Sequence, residues 1–276
     1  MSQQAKFNHI SENMQYFEFW PCIGYYRPFI SLFIYKILRK LNINANKFYP
    51  TKTMIIKFAG IKVILRPNHE DLLYYSGAAK FHFTEKWFRV KAGENVIDVG
   101  SNVGRYSLIA AKKKANVISL EADPETFDIF FQNCNLNKFK NIRPINKAAS
   151  NKTGWIELYR ARGYDGISTV EQRWILENGR TITEKCEIQS EKLDNLNIFK
   201  QVDWLLIDVE GHELEVLEGA IETLKVTKRV IIEVEKSNRE RVLAKLKDFK
   251  IVDEISESEL DNYIFLIKIE NRCLVI

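Results

Sequence analysis

The sequence predicts an α/β fold, a doubly wound and mainly parallel sheet with an N-terminal helical appendage. Three observations predict it. Short apolar runs alternate with helical stretches along residues 54–269, the pattern of a parallel sheet covered on both faces. One run, Val96-Ile-Asp-Val, enters the loop Gly100-Ser-Asn-Val-Gly104 and then a helix, as a ligand-binding strand–loop–helix turn does. The next run ends in Glu121, where an acid can accept hydrogen bonds from both hydroxyls of a ribose.

Taken in order, residues 1–50 form an aromatic-rich helical segment and residues 51–276 the main domain. Aromatic residues crowd positions 14–41, and Pro28 suits the first turn of a helix running to about residue 41. Lys36, Arg39 and Lys40 gather near its C-terminal end, where cations suit the helix dipole. The segment lacks the basic start and small-residue cleavage site of a secretory signal. Arg27-Pro28 interrupts it and its apolar stretch stops at Lys36, too soon to cross a bilayer. So apolar a helix needs cover, which means packing on the domain, binding at an anionic membrane surface, or dimer contact.

In the main domain, residues 54–58 and 61–65 read as a hairpin about Ala59-Gly60. Residues 71–79 and 85–90 read as helical, followed by a strand at 96–99, a helix at 106–114 and a strand at 116–120. Asp123 is an N-cap with Pro124 at the first helical position, which starts a helix ending near Asn137. Strands follow at 142–146, 154–159 and 185–189, and the polar stretch 160–183 is long enough for a functional loop. A strand at 203–209, a helix at 213–224 and a strand at 229–234 come next. Ser237-Asn-Arg-Glu240 is a capping box for one more helix. Residues 251–255 and 263–269 form an antiparallel pair at one sheet edge.

With 276 residues, 46% hydrophobic and 28% charged, the chain has the composition of a globular protein with one main domain. A formal charge of +5 permits anionic partners such as phosphorylated sugars, membrane surfaces or RNA without requiring any of them. Cys22, Cys134, Cys186 and Cys273 are far apart and form no C-x-x-C pair. That signals neither a disulfide framework nor a zinc site, and a reducing, cytoplasmic setting is the simple reading.

The loop itself selects a cofactor. Gly100 allows a sharp turn and Gly104 a close helix start. A dinucleotide site wants G-x-G-x-x-G to seat a pyrophosphate. This loop has two glycines, and Asp98 before it would repel a pyrophosphate but suits an ammonium. S-adenosylmethionine (SAM) has a ribose, an α-amino group and a sulfonium but no phosphate. Asp98, Gly100, Ser101, Asn102, Gly104 and Glu121 are the cofactor-binding candidates on this reading.

The order of segments resembles the FkbM-type methyltransferase family, SAM-dependent enzymes that mostly O-methylate sugars and other small hydroxylated natural products. The matching pieces are Ile97-Asp-Val-Gly-Ser-Asn-Val-Gly104, Leu120-Glu-Ala-Asp-Pro124, Asn133-Cys-Asn-Leu-Asn137, Asn146-Lys-Ala-Ala-Ser150, Leu193-Asp194, Ile207-Asp-Val-Glu-Gly-His-Glu213 and Ile231-Ile-Glu-Val234. They cover roughly residues 60–235. The chain departs from the family in having Ala122 after Glu121, Ser101 in the glycine loop and Leu206 where a lysine is common. The resemblance implies a Rossmann-like methyltransferase sheet and a sugar, glycan or glycolipid-type acceptor. It adds Ala122, Asp123, Lys147, Ala148 and Asp208 to the cofactor-binding set, and it places Glu213 and Glu233 beside the acceptor.

Methyl transfer to a hydroxyl needs in-line approach and a base that takes the proton as the bond forms. Asp208, Glu210, His212 and Glu213 are the catalytic candidates. Asp208 ends the strand beside the glycine loop, although a helix-start residue is the competing use of that position. His212 has a pKa suited to a base, yet the family often has alanine there, so a solvated helix residue is the competing use. The acids could hold Mg²⁺, but surface charge produces such spacing readily, so Mg²⁺ is not the expected cofactor and no metal ligands are assigned. The alternatives are methylation of RNA, for which Lys112-Lys-Lys114 is slight support, of another small molecule, or SAM binding without catalysis. A nicotinamide oxidoreductase fits the loop less well, and nothing points to DNA.

Overall fold

The computed structural model describes residues 52–69, 71–76, 86–161, 167–256 and 261–269. The N-terminal appendage expected over 1–50 lies outside the described residues. Strands β1 (Met54–Phe58) and β2 (Ile61–Leu65) form the expected hairpin, with Phe58 paired to Ile61. Helix α1 (Asp71–Ser76) follows, and of the next expected helix only Lys86 and Trp87 are helical among the described residues.

Strand β3 (Asn95–Val99), helix α2 (Arg105–Lys112), β4 (Asn116–Leu120), α3 (Pro124–Asn137) and β5 (Ile142–Ile145) then alternate. Helix α3 begins as expected: the Asp123 side chain accepts the Glu125 N–H at 2.9 Å and Pro124 opens the helix. Strands β6 (Ala148–Ala149), β7 (Gly154–Ala161) and β8 (Ile167–Thr169), helix α4 (Gln172–Glu177) and β9 (Glu184–Glu191) come next. The chain returns through β10 (Trp204–Ile207), α5 (Glu213–Glu218), α6 (Ile221–Lys225), β11 (Arg229–Glu235) and α7 (Arg239–Lys245). It closes with β12 (Phe249–Ser256) and β13 (Asp261–Lys268).

The main sheet has seven strands in the order β12-β13-β11-β10-β3-β4-β5. Strands β11, β10, β3, β4 and β5 run parallel, while β13 and β12 are antiparallel at one edge, as the sequence predicted. Alternation along β10 shows why both faces must be covered. Trp204 and Leu206 pack with Phe88, Tyr106 and Ala110 on one side, while Leu205 and Ile207 pack with Leu214, Leu217 and Val242 on the other. The sheet is doubly wound: from β3 the chain proceeds outward to β4 and β5, then returns to the other side of β3 through β10. A ligand crevice belongs at the carboxyl ends of the strands where the order reverses.

The stretch expected to be a loop at 160–183 instead contains β8 and α4 and contributes to a second sheet, in the order β6-β9-β7-β8. Backbone pairing across β7 and β9 makes these strands a layer of their own rather than extensions of the main sheet. The helix expected over 213–224 is two helices. A Cβ on Gly219 would lie 1.9 Å from the Ser150 carbonyl oxygen, so the chain turns against residue 150. The Asp194 carboxylate then starts α6 afresh by accepting the N–H groups of Glu222 and Thr223 at 3.0 and 2.8 Å. The capping box expected at 237–240 does not form. Asn238 takes the cap position, and its amide donates to Glu235 Oε2 at 3.0 Å instead of closing on the helix.

Candidate active site

Three backbone bonds build the crevice between β3, β4 and β10. The N–H groups of Gly100 and Ser101 donate to the Leu120 carbonyl at 3.0 and 2.9 Å, and that of Asp208 donates to the Val99 carbonyl at 2.9 Å. Gly100 has φ +81°, and a Cβ on it would lie 1.7 Å from the Asp208 carbonyl oxygen. Only glycine lets the loop pass so close to the end of β10.

Acids gather around this loop. Glu121 is buried, with Oε2 accepting the Asn102 N–H at 2.8 Å and Oε1 the Asp123 N–H at 2.9 Å. Each oxygen keeps a second lone pair for a ribose hydroxyl. Asn146 fixes the backbone there by donating to the carbonyls of Glu121 and Ala122 at 2.8 and 3.2 Å. Asp98 is buried at the end of β3 and accepts the Ser107 hydroxyl at 2.5 Å. Burial pushes Asp98 up to about 6, with the Asp208 charge adding to it. Burial likewise pushes Glu121 up to about 7 against the bonds from the Asp123 and Asn102 N–H groups. The Ser101 hydroxyl is buried in the same loop without a hydrogen-bond partner among the described residues. An orphaned hydroxyl and two partly protonated carboxyls fit a ligand that brings a cation and hydroxyl donors, as SAM does.

That fit gives a pH dependence. The ionised carboxylates are the better partners for an ammonium and for ribose hydroxyls, so SAM binding competes with protonation. Affinity is expected to rise from about pH 5 to pH 8, through the raised pKa values, and then level off. Calorimetric titration across that range checks it, and Glu121→Gln is expected to flatten the upper part. An affinity that ignores pH in the wild type would contradict the arrangement.

Beyond β10, Asp208 is half-buried and accepts the Tyr263 hydroxyl at 3.3 Å. Carboxylate oxygens of Asp208, Glu210 and Glu233 lie within 4.8 Å of one another, a set that can compensate a cation. Glu213 is buried at the start of α5, where its Oε1 accepts the Gly211 N–H at 2.8 Å and its Oε2 has no partner among the described residues. Burial pushes it up to about 8, with Asp208 and Glu235 adding to the shift, so it is largely protonated at neutral pH. A carboxyl whose folded pKa is raised stabilises the fold while protonated, and that contribution fades as pH rises from the ordinary 4.5 through about 8. Glu213→Gln, which mimics the neutral acid, is therefore expected to lose less Tm over this window than the wild type, the remainder coming from Asp98 and Glu121. Parallel Tm–pH curves would contradict the assignment.

The other predicted residues fall into distinct places. His212 is 8% exposed, buried rather than solvated. Its Nδ1 is 2.7 Å from Glu171 Oε1 and its Nε2 is 3.0 Å from the Ser150 hydroxyl. Asp123 is gripped by Arg160, which donates from Nε and Nη2 at 2.8 Å each, and by the Ser168 hydroxyl at 2.5 Å. This clamp ties β7 and β8 to the start of α3. Lys147 pairs with Glu191 at 3.2 Å, and Ala148 packs with Leu158 and Ile188, with Ala122 against that cluster. The pairings of Arg160 with Asp123, Thr169 with Glu210, and Glu171 and Ser150 with His212 escaped the sequence reading because no local spacing connects them.

Residues 98–261, more than half of the chain, match the Methyltransferase FkbM domain family. The hexuronic acid methyltransferase AglP of Haloferax volcanii is 31% identical over 169 residues, which is 59% of this chain and 66% of that protein. Methyltransferase sdnD of Sordaria araneosa is 23% identical over 168 residues, 50% of this chain and 65% of that one. The matched stretches thus span just under two thirds of these relatives. A solved structure of M. jannaschii TYW2 in complex with AdoMet aligns at TM-score 0.45 and 16% identity, covering 80% of this chain and 88% of that one.

Proposed function

This chain belongs to the FkbM methyltransferase-domain family, and from that membership we propose that it transfers the methyl group of SAM to a hydroxyl of a sugar, glycan or glycolipid-type acceptor. The observation that carries the proposal is the acid-rich rim where the strand order reverses. Asp98 and Glu121 border the glycine loop there, and the carboxylates of Asp208, Glu210 and Glu233 gather beside it, in a chain whose net charge is +5. Such a rim attracts a sulfonium and an ammonium, and it repels a pyrophosphate or a nucleic-acid backbone. A sugar-type acceptor is supported by the hexuronic acid methyltransferase relative.

When bound, SAM supplies an electrophilic methyl group and a neutral sulfur leaving group. The protein's share is positioning and proton transfer. Glu121 accepts the ribose hydroxyls, and the glycine loop keeps side chains out of the way. A sugar hydroxyl is too weak an acid to ionise beforehand, so Asp208 takes its proton as the new C–O bond forms. Glu210 and Glu233 flank it and accept neighbouring hydroxyls. The same carboxylates have the oxygen chemistry to hold Mg²⁺, but base catalysis by Asp208 needs no metal. Activity is expected to persist in EDTA; loss in EDTA with recovery on added Mg²⁺ would install a cation there. Residues 1–50 complete the proposal as a lid, a dimer contact or a contact with an anionic membrane surface in a cytoplasmic setting; vesicle flotation tests the membrane contact.

The deciding experiment incubates the protein with methyl-labelled SAM and three probes: hexuronic-acid oligosaccharides, neutral oligosaccharides and RNA. Label in a saccharide supports the proposal. Label confined to RNA replaces the acceptor while keeping the cofactor, and no label from protein that binds SAM leaves a non-catalytic binder.

A further inference from the structure

We infer that His212 is a positioning residue: the chain Glu171–His212–Ser150 latches the second sheet and the α4 segment onto the turn that carries Asp208 and Glu210. The inference deepens the methyl-transfer reading and rests on it for the rate effects alone.

Both ring nitrogens are spent on protein groups. Nδ1 faces Glu171 Oε1 at 2.7 Å and Glu215 Oε2 at 3.6 Å, while Nε2 faces the Ser150 hydroxyl at 3.0 Å. In the neutral ring Nδ1–H donates to Glu171 and the Nε2 lone pair accepts from Ser150; in the charged ring Nε2–H donates to Ser150. Neither state leaves a lone pair for an acceptor hydroxyl, and the side chain is shut from solvent. A general base must reach the proton it removes. His212 reaches only Glu171, Glu215 and Ser150 among the described residues.

What the latch holds is a strained turn. Glu210 has φ +53° and Gly211 φ +101°. A side-chain-bearing residue stays in the left-handed region only where its surroundings impose it. Three contacts from one segment impose it here, and a fourth ties that segment to β11. The Thr169 hydroxyl donates to the Glu210 carbonyl at 2.8 Å, and Glu171 holds His212. Trp174 closes on Gly211, where a Cβ would lie 2.9 Å from its Cδ1, and Arg173 pairs with Glu235 at 2.8 Å at the end of β11. Ser150 anchors the far side, next to the break before α6. Glu210, two residues after Asp208, therefore takes its place from a segment that contributes no acid to the triad of Asp208, Glu210 and Glu233.

The test compares His212→Ala with His212→Gln. A glutamine amide can donate to Glu171 and accept from Ser150 but cannot act as a base. With methyl-labelled SAM and a hexuronic-acid oligosaccharide, His212→Ala is expected to lose about 10²-fold in kcat/KM through misplacement of the turn. His212→Gln is expected to stay within about tenfold of wild type, with the ascending limb of its pH–rate profile retained. A glutamine variant as inactive as the alanine one, folded and lacking that limb, would make His212 the base and overturn the inference. Hydrogen exchange needs no acceptor and separates this from failure of the methyl-transfer reading. The Gly211 amide is expected to exchange faster in His212→Ala and in Glu171→Ala than in wild type or His212→Gln. Unchanged exchange in both alanine variants would also overturn it.

Discussion

Asp208→Asn is expected to lower methyl transfer about 10²–10⁴-fold, the range a positioned general base supplies, while SAM affinity stays near wild type. The substitution keeps shape and the backbone bond from residue 208 to the Val99 carbonyl. An amide oxygen still accepts the Tyr263 hydroxyl, which lies 3.3 Å from Oδ2. Together with one negative charge, whose loss eases the ionisation of Asp98, the capacity to take a proton disappears. Because an acceptor hydroxyl stays protonated until the bond is forming, that loss falls on the rate and not on ground-state binding. Single-turnover transfer from labelled SAM, with calorimetry on the same preparation, separates the two. A normal rate in Asp208→Asn would remove Asp208 from the chemistry, and weakened SAM binding would move it to the cofactor side.

The second large effect belongs to Glu121. Glu121→Ala is expected to weaken SAM binding by roughly 1.5–3 kcal/mol, or about 10- to 150-fold, because hydrogen bonds to a charged acceptor are lost. The same change strips the Asn102 and Asp123 N–H groups of their acceptor, so some of the loss reflects a loosened loop. Glu121→Gln divides the contributions: one side-chain oxygen remains and the charge is gone. Its affinity is expected to fall between those of wild type and Glu121→Ala. Equal affinity in all three proteins would take the ribose away from this strand end.

Much of this was legible in the chain because the signals are local. Strand β4 runs over the predicted residues, since its apolar run is bounded by a polar residue before and an acid after. Helix α3 starts and stops as predicted because Asp123-Pro124 is a start signal in itself. What stayed hidden depends on distant partners. Nothing near Gly219 announces that it presses on Ser150, so the helix break was invisible. Arg160 meets Asp123 from 37 residues away, and His212 meets Glu171 and Ser150 from 41 and 62 residues away. His212 therefore read as a solvated helix residue or a base, and its burial between Glu171 and Ser150 was not legible. The acids carried the reverse lesson: their strand-end positions were readable, but raised pKa values come from burial, which the sequence states only in aggregate.

The central claim is that the crevice between β3, β4 and β10 binds SAM as the methyl donor. Its most direct test is a calorimetric titration of the 276-residue chain at about pH 8, where Asp98 and Glu121 are mostly ionised, with SAM and with NADH in parallel. The account predicts one saturable SAM site, weakened in Glu121→Ala, and no NADH binding. Tight NADH binding with no heat from SAM would contradict it.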